Sequence, residues 1–246
     1  MTKHFVAGKN AVYEMLRSGK RRVHRLYLSR RSEDPTLQEI KRLALKNSVP
    51  LQEDLPSFVI QQSGVEVHQG VVAEADPFSY TPLDAVVAKA CADPKGGFLI
   101  FCDEIQDPQN LGSLIRTAHL LGAHGLVIPK HRSAEVTATV AKASAGAVEY
   151  LPIVKETNLV NVINLLKEKD FSVYGAAGDG AQSLYETTFS GSVVLVLGAE
   201  GRGLKNIIIK HCDATLFIPM KGEVGSFNVS VAGAILMAEV TRQRGG

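Results

Sequence analysis

Short apolar runs that stop at glycine- or proline-containing loops constrain this chain more than any other feature. Val193–Leu197 is apolar throughout and stops at Gly198, and Phe98–Cys102 and Gly125–Pro129 have the same character. An apolar run of five or six residues bounded in this way is typical of a strand buried on both faces. Stretches with helical spacing separate these runs. The sequence therefore predicts an α/β fold with a mostly parallel sheet covered on both sides.

The N-terminal part has the same alternation on a smaller scale. Helix-like and strand-like patterns alternate over residues 8–73. Asp76–Pro82 then carries two prolines and interrupts the pattern, as linkers do. We therefore predict a small α/β domain over residues 1–76, a linker over 77–82 and a larger domain over 83–246.

Composition indicates a globular protein rather than a membrane, disulfide-rich or metal-binding one. Apolar residues make up 45% of the chain and charged residues 21%, which is typical of a globular protein in water. The chain has no apolar run near the roughly 18 residues of a membrane span and no signal-peptide pattern, so we expect a cytoplasmic protein without a membrane partner. The 3 cysteines lack C-x-x-C spacing and the 7 histidines are scattered. We expect neither a disulfide framework nor a metal site.

Positive charge is concentrated near the N-terminus, although the net charge is only +2. Residues 1–50 hold 12 lysines and arginines against 4 acidic residues, whereas residues 81–246 hold 15 against 16. Such asymmetry predicts a polyanionic partner, most simply nucleic acid. Arg30 and Arg31 form one basic pair. The densest cluster supplies four candidate RNA-binding residues: Lys20, Arg21, Arg22 and Arg25.

Several nucleotide-binding and hydrolase motifs are missing or do not fit. Gly175–Gly180 follows a predicted strand, but its glycines have the spacing G-x-x-G-x-G, which reverses the dinucleotide-binding fingerprint. No acidic residue follows about 20 positions later to hold a ribose. The chain also lacks a P-loop and a G-x-S-x-G nucleophile motif, so it does not match these enzyme classes.

Three polar residues near predicted strand ends are candidates for chemistry. Asn110 suits the N-cap of a helix, and capping is the alternative to a functional role. The apolar neighbours of Arg116 predict a largely buried helix, in which an arginine needs an anionic partner. Glu200 lies among glycines after a buried strand. Its alternative role is to complement the dipole of a following helix.

Three motifs that contain these residues occur in order along the chain. They are N-x-G-x-x-x-R at Asn110–Arg116, G-x-E-x-x-G at Gly198–Gly203, and I-P-M followed by S-x-N-V-S within Ile218–Ser230. With all three motifs, residues 98–246 resemble the SpoU-type ribose 2′-O-methyltransferases. These enzymes are also named the TrmH family and belong to the SPOUT superfamily. The resemblance implies a C-terminal α/β-knot domain with a deep trefoil knot, and a homodimer in which each site is completed across the interface.

The N-terminal unit resembles the small L30e-like RNA-binding domain that precedes the knotted domain in some members of this family. Those members methylate guanosine in ribosomal RNA. The resemblance therefore implies that S-adenosyl-L-methionine is the cofactor and that RNA, most simply ribosomal, is the partner. The implied reaction is methylation of a ribose 2′-hydroxyl of a guanosine in large-subunit (23S) ribosomal RNA.

The resemblance also assigns roles to individual residues. Arg116 would lie at the ribose, where it binds the adjacent phosphate and stabilises the developing alkoxide. Asn110 and Glu200 would orient Arg116, while Asn228 and Ser230 would hold the ribose or the loop. The implied cofactor pocket is lined by Leu197, Gly198, Ile218, Met220 and Phe227.

Two alternatives to this function remain. Within the family, the target could be a transfer RNA or another ribosomal RNA nucleotide. From a different class, the chain could be a non-catalytic RNA-binding assembly factor that has kept the fold. The presence together of Asn110, Arg116, Glu200, Asn228 and Ser230 argues for an enzyme, because a silent copy has no chemical need for the whole set.

Overall fold

The computed structural model of the chain describes residues 4–29 and 33–245. Arg30 and Arg31 lie outside these residues. The chain divides into two compact units. The first unit contains Met1–Ser79 and Glu135–Tyr150, and the second contains Tyr80–Ala134 and Leu151–Gly246. The division made from sequence did not include Glu135–Tyr150 in the first unit.

The first unit has a four-stranded sheet in the order β1-β4-β2-β3. Strand β4 is antiparallel to both β1 and β2, whereas β2 and β3 are parallel. The unit also includes a short 3-10 helix over Ala147–Glu149. Its other elements are β1 (His4–Ala7), α1 (Lys9–Ser18), β2 (Val23–Leu28), α2 (Pro35–Lys46), β3 (Leu51–Gln52), α3 (Ser57–Ser63), β4 (Val71–Ala75) and α6 (Ala138–Ala143).

Helix α6 and the turn after it pack closely on the rest of this unit. Gly146 has a φ of +87°, and a Cβ placed on it would lie 2.6 Å from the Glu14 Cβ atom. A glycine is therefore needed here both for the left-handed backbone and for the close approach. The Tyr150 hydroxyl donates a hydrogen bond of 2.6 Å to Glu14 Oε2. These contacts explain why a segment far along the chain completes the first unit.

An ion pair also holds the end of this segment. Arg21 Nη1 donates to Glu149 Oε1 at 2.9 Å, and Arg21 Nη2 donates to the carbonyl oxygen of Asp76 at 2.6 Å. The two paired side chains are only 10% and 2% exposed. Arg21 was predicted to bind RNA, but its guanidinium is committed to these partners. It is therefore not available as a phosphate contact in this arrangement.

The second unit has a seven-stranded sheet in the order β7-β6-β5-β10-β8-β11-β9, and every pair of neighbours is parallel. This confirms the predicted parallel sheet. A 3-10 helix covers Leu184–Glu186. The other elements are α4 (Leu83–Cys91), β5 (Phe98–Cys102), α5 (Pro108–Leu120), β6 (Gly125–Pro129), β7 (Ile153–Glu156), α7 (Leu159–Lys167), β8 (Phe171–Ala176), β9 (Gln182–Ser183), β10 (Ser192–Leu197), α8 (Asn206–Ile209), β11 (Ala214–Phe217) and α9 (Val229–Gln243).

Both faces of this sheet are buried. Helices α4, α7 and α8 pack on one face, where Leu99 and Val194 contribute to the core. On the other side, α9 packs against α5 and β10. Gly233 of α9 permits this contact, because a Cβ there would lie 2.5 Å from Leu114 Cδ2 and 2.8 Å from Leu197 Cδ1. No helix among the described residues is long and apolar enough to cross a membrane. The trefoil knot stays a prediction from the resemblance.

Loss of the Arg21 guanidinium should destabilise the protein. Arg21→Ala leaves the Glu149 carboxylate buried without its cation, so we expect the free energy of unfolding to fall by about 3 kcal/mol. Burial raises the pKa of the Glu149 carboxyl, and the charge of Arg21 opposes this rise. A carboxyl whose pKa is raised by folding contributes stability at low pH that is lost as the pH rises through the folded-state value.

The loss in Arg21→Ala should therefore be larger at about pH 7.5 than at about pH 5. Urea denaturation at both pH values measures it. Arg42→Ala is the matched control, since Arg42 is 67% exposed and pairs with Glu39 on the surface of α2. Equal urea midpoints for Arg21→Ala and Arg42→Ala would contradict the expectation.

Candidate active site

Three loops at the carboxyl ends of neighbouring strands line one pocket of the second unit. They follow β8, β10 and β11, and the first turns of α9 complete the wall. The carboxyl ends of parallel strands are where open α/β sheets bind ligands. The cavity has a volume of about 150 Å³. All five residues that were predicted to bind the cofactor line it: Leu197, Gly198, Ile218, Met220 and Phe227.

The pocket wall is apolar and rich in exposed backbone. Its lining side chains are those of alanine, leucine, isoleucine, methionine, phenylalanine and valine, and the remaining positions are glycines. Gly198 is packed most tightly, because a Cβ on it would lie 2.3 Å from the carbonyl carbon of Gly203. The loop closes on itself there through a hydrogen bond of 2.9 Å from the Gly203 N–H to the Ala199 carbonyl. Polar groups of a ligand in this pocket would meet backbone N–H and C=O groups.

A hydrogen-bonded group of polar side chains includes Glu200 and Asn228, whose neighbours in sequence line this pocket. Asn110 Nδ2 donates to Glu200 Oε1, and Asn228 Nδ2 donates to the same oxygen at 3.2 Å. Asn228 Nδ2 also lies 3.0 Å from Asn110 Oδ1. Ser230 joins the group, because its hydroxyl donates to Asn228 Oδ1 at 2.6 Å. The structure therefore brings together four of the five residues that were predicted to be catalytic.

Helix ends position two members of this group. Helix α5 is capped by Asp107, whose Oδ1 accepts from the Gln109 N–H at 3.1 Å. Asn110 therefore lies inside the first turn, and the alternative role of Asn110 as the N-cap is wrong. Asn228 is the N-cap of α9 and accepts from the Ser230 N–H at 2.9 Å. Glu200 lies in a turn well before α8, so it does not complement the dipole of that helix.

Arg116 is not part of the polar group. It lies on the exposed face of α5, so the prediction that it is buried is wrong. The buried residues Leu111, Leu114, Ile115 and Ala118 form the opposite face of the helix. Among the described residues, none forms a hydrogen bond or ion pair with the Arg116 side chain. Orientation of Arg116 by Asn110 and Glu200 is thus not seen within one chain.

A second, polar cavity next to Glu200 was not assigned a role from sequence. It has a volume of about 300 Å³, and Glu104, Gln106, Asp107, Glu200 and Arg202 line it. The signal was present in the sequence as consecutive acidic residues directly after β5. Such residues at a strand end are candidates for a site.

A lysine balances the acids beside this cavity. Lys205 Nζ lies 2.8 Å from Glu104 Oε1 and 3.4 Å from Asp103 Oδ1. The hydrogen bond from Lys205 lowers the pKa of the Glu104 carboxyl, although partial burial opposes the shift. Burial works against the charged form of Lys205 as well, but the bond with Glu104 and the charge of Asp103 outweigh it and raise its pKa. Both groups are thus held in their ionised forms.

The remaining predicted RNA-binding residues are on the surface of the first unit. Lys20, Arg22 and Arg25 are exposed. Lys20 Nζ lies 5.8 Å from the centroid of the Tyr150 ring, within the range of a cation–π contact. Within residues 4–29 and 33–245, no group of three or more histidine, cysteine, aspartate and glutamate side chains has an arrangement that could hold a metal ion.

Comparison with known proteins identifies the family. Residues 97–238 match the model of the SpoU rRNA Methylase family. The chain belongs to this SpoU family. Residues 5–81 match the model described as RNA 2′-O ribose methyltransferase substrate binding. The resemblance inferred from the three motifs is therefore confirmed.

SpoU relatives match along nearly the whole chain. YacO of Bacillus subtilis (strain 168), assigned to the TrmH family of tRNA/rRNA methyltransferases, is 38% identical over 240 residues, which cover 98% of this chain and 96% of YacO. The 23S rRNA (guanosine-2′-O-)-methyltransferase RlmB of Pseudomonas aeruginosa is 37% identical over 97% of this chain and 96% of its own. RlmB of Escherichia coli (strain K12) is 34% identical, covering 97% of this chain and 98% of its own.

Solved structures of SpoU proteins share the fold. The crystal structure of AviRb from Streptomyces viridochromogenes in complex with AdoMet has a TM-score of 0.80 and 24% identity, and the match covers 98% of this chain and 90% of AviRb. The structure of a TrmH-family protein from Porphyromonas gingivalis has a TM-score of 0.74 and 29% identity, with the same coverage of 98% and 90%. The predicted fold class, an α/β domain with a mostly parallel sheet preceded by a small α/β domain, is thereby confirmed.

The close approach at Gly198 predicts a sensitive position. In Gly198→Ala the new Cβ would meet the backbone of Gly203 and lie 2.4 Å from the Leu204 nitrogen. Backbone cannot yield as a flexible side chain can, so we expect a loss of about 1–3 kcal/mol in the free energy of unfolding. Thermal unfolding measures the loss. Gly222→Ala is the control, because a Cβ there meets nothing within 4 Å; equal melting temperatures of the two variants would refute the expectation.

Proposed function

We propose that this SpoU protein transfers a methyl group from S-adenosyl-L-methionine to the 2′-hydroxyl of a guanosine in 23S ribosomal RNA. The observation that carries the proposal is the hydrogen-bonded group of Asn110, Glu200 and Asn228 beside an apolar, glycine-walled pocket. The RlmB relatives named above, which match over nearly their full length, favour guanosine of 23S ribosomal RNA as the target. Ribosomal RNA as the substrate also favours a cytoplasmic location.

The wall of the pocket has a composition that suits S-adenosyl-L-methionine, a nucleoside whose side chain carries a sulfonium. Its apolar side chains, including Leu197, Ile218 and Phe227, can contact an adenine ring and methylene groups. The backbone beside Gly198 and Gly203 can bond the polar edges of such a ligand without a side chain in the way. S-adenosyl-L-methionine, when bound, supplies an activated methyl group on a sulfonium. A pocket without charged side chains leaves that cation to be solvated by backbone carbonyl groups.

The reaction requires that the ribose oxygen be placed in line with the methyl group. As the new C–O bond forms and the C–S bond breaks, the 2′-hydroxyl loses its proton to water or to a nearby base. Such positioning can be worth roughly 7–11 kcal/mol of the barrier. We assign Arg116 to the adjacent phosphate and to the developing negative charge on the ribose oxygen. A guanidinium stays protonated at neutral pH and is therefore a poor general base.

The polar group would hold the ribose. Asn110 and Asn228 both bond Glu200 Oε1, and among the described residues no partner bonds Glu200 Oε2. This second oxygen can accept a hydrogen bond from the ribose or from the Arg116 guanidinium. Ser230 and Asn228, at the start of α9, would hold the ribose or the loop.

The position of Arg116 supports a homodimer. Because Arg116 lies on the exposed face of α5, outside the polar group of its own chain, we propose that a second copy of the chain completes each site. Exposed apolar side chains of the second unit support a contact there: Leu120 of α5 is 70% exposed and Val231 of α9 is 46% exposed. Burial of such apolar side chains on association is favourable, because their surface is removed from water.

Two other functions are compatible with the same fold. A transfer RNA or another ribosomal RNA nucleotide as the target remains the alternative within the family, and the name of YacO includes both kinds of RNA. A non-catalytic assembly factor is the alternative from a different class. The bonded group of Asn110, Glu200 and Asn228 favours the enzyme, because binding of RNA alone does not need it.

Arg116→Ala tests the proposed reaction. We expect methyl transfer to fall by about 10²–10³-fold, since a group that stabilises developing charge is lost. Binding of S-adenosyl-L-methionine should be nearly unchanged, because Arg116 does not line the pocket. Transfer of a tritiated methyl group to ribosomal and transfer RNA from undermodified cells measures the rate and identifies the nucleotide, and calorimetry measures cofactor binding.

The control for Arg116→Ala is Lys169→Ala, which removes an exposed positive charge from the turn after α7. It should keep the rate of the unaltered protein. Near-normal methyl transfer by Arg116→Ala would refute the assigned role. No transfer to any RNA by the unaltered protein, despite cofactor binding, would favour the non-catalytic alternative.

A further inference from the structure

A groove in the first unit lies outside the candidate active site. It has a volume of about 700 Å³, and its lining residues are within 15–24 and 47–50. It therefore lies between the end of α1, the beginning of β2 and the turn that precedes β3. We name it the α1–β2 groove. Sites for small organic groups have volumes of roughly 300–1,000 Å³, so the groove is large enough for one nucleotide.

The α1–β2 groove has an apolar floor and a basic rim. Val23, half-buried, and Pro50, exposed, supply accessible apolar surface above the buried Met15 and Leu16. Arg17 and Arg22 are exposed at the rim. Of the described residues that line the groove, none is acidic. An anion with a flat apolar part fits this arrangement.

Both rim arginines are available to a ligand. Arg17 is 63% exposed and lies 3.6 Å from Glu14 Oε2, and such exposed pairs contribute little. The Arg22 side chain has no hydrogen bond or ion pair within the described part of the chain. A phosphate would therefore displace no strong interaction.

The buried Arg21 fixes the position of its neighbour. Its guanidinium is bonded to Glu149 and to the Asp76 carbonyl, which anchors the chain directly before β2. Arg22 follows at once and is directed to the surface. On the same stretch, His24 Nε2 lies 2.7 Å from Asp76 Oδ1. The hydrogen bonds of Arg21 and His24 therefore fix the backbone on either side of Arg22 and leave its guanidinium free to bind a ligand.

We propose that the α1–β2 groove binds one unpaired nucleotide of the RNA substrate. Arg17 and Arg22 contact its phosphates, and the base lies over the apolar floor. A base in a duplex keeps its faces stacked, so the groove selects unpaired RNA. An acidic peptide would match the arginines but has no flat apolar ring for the floor. This proposal rests on the proposed function, since it assumes that RNA is the substrate.

The test compares two variants of the full-length protein that lose the same charge. Arg17→Gln/Arg22→Gln alters the groove. Lys41→Gln/Arg42→Gln is the control on α2, where neither residue lines the groove and each pairs with a surface glutamate. The probes are a fluorescein-labelled single-stranded RNA oligonucleotide, a blunt-ended RNA duplex of the same length without unpaired nucleotides, and a polyglutamate peptide. Fluorescence anisotropy without a methyl donor measures their binding at several salt concentrations.

The groove variant should bind the single strand about tenfold more weakly, and the slope of log K against log salt should fall by about 1.4, because each lost phosphate contact accounts for about 0.7. The control should lose far less, and both melting temperatures should be unchanged. Equal loss in both variants would overturn the proposal. So would equal or tighter binding of the duplex or the polyglutamate peptide than of the single strand.

The kinetics of methyl transfer distinguish a failure of the groove proposal from a failure of the proposed function. The groove variant should raise the KM for ribosomal RNA and leave kcat unchanged, because the groove holds RNA but does not contact the reacting atoms. An unchanged KM in an enzyme that still methylates RNA would refute the groove and leave the function in place. Absence of methyl transfer in the unaltered protein would refute the proposed function instead.

Discussion

The hydrogen bonds that join Asn110, Glu200 and Asn228 tie together three segments far apart in sequence. They can form only because strands β5 and β10 are paired in register, with Leu197 opposite Cys102, so that the loops after them begin at the same edge of the sheet. The close approach of Gly233 to Leu114 then brings the start of α9 to that edge. The geometry of the candidate site is therefore a consequence of how the parallel sheet is buried.

Much of this fold follows from local patterns in the sequence. The fully apolar runs at β5 and β10 predicted buried parallel strands, since only a sheet covered on both faces lacks polar alternation. The place of Glu135–Tyr150 in the first unit could not be predicted in this way. Its helical pattern could belong to either unit. The segment belongs to the first unit because it contacts residues more than 100 positions earlier, as in the Arg21–Glu149 pair.

The residues of the candidate site were identified by motif, whereas arguments from burial were less successful. Arg116 was taken as buried because its sequence neighbours are apolar. Those neighbours recur at helical spacing on one face of α5, and Arg116 lies on the other face. The number of apolar neighbours in sequence therefore does not show whether a helical residue is buried. Arg21 shows the reverse error: a residue in a basic, polar stretch is buried, because its partner Glu149 comes from distant chain. Charge in a sequence does not reveal which cations are already paired.

The division of the first unit has a consequence for synthesis of the chain on the ribosome. Domains generally fold in order from the N-terminus as they emerge. Here the chain leaves β6, completes the first unit with Glu135–Tyr150 and only then returns to form β7, which lies beside β6 in the second sheet. The first unit therefore cannot reach its final form until Tyr80–Ala134 of the second unit and Glu135–Tyr150 have been translated. During this interval, the surface of the first unit that Glu135–Tyr150 later covers stays exposed to solvent.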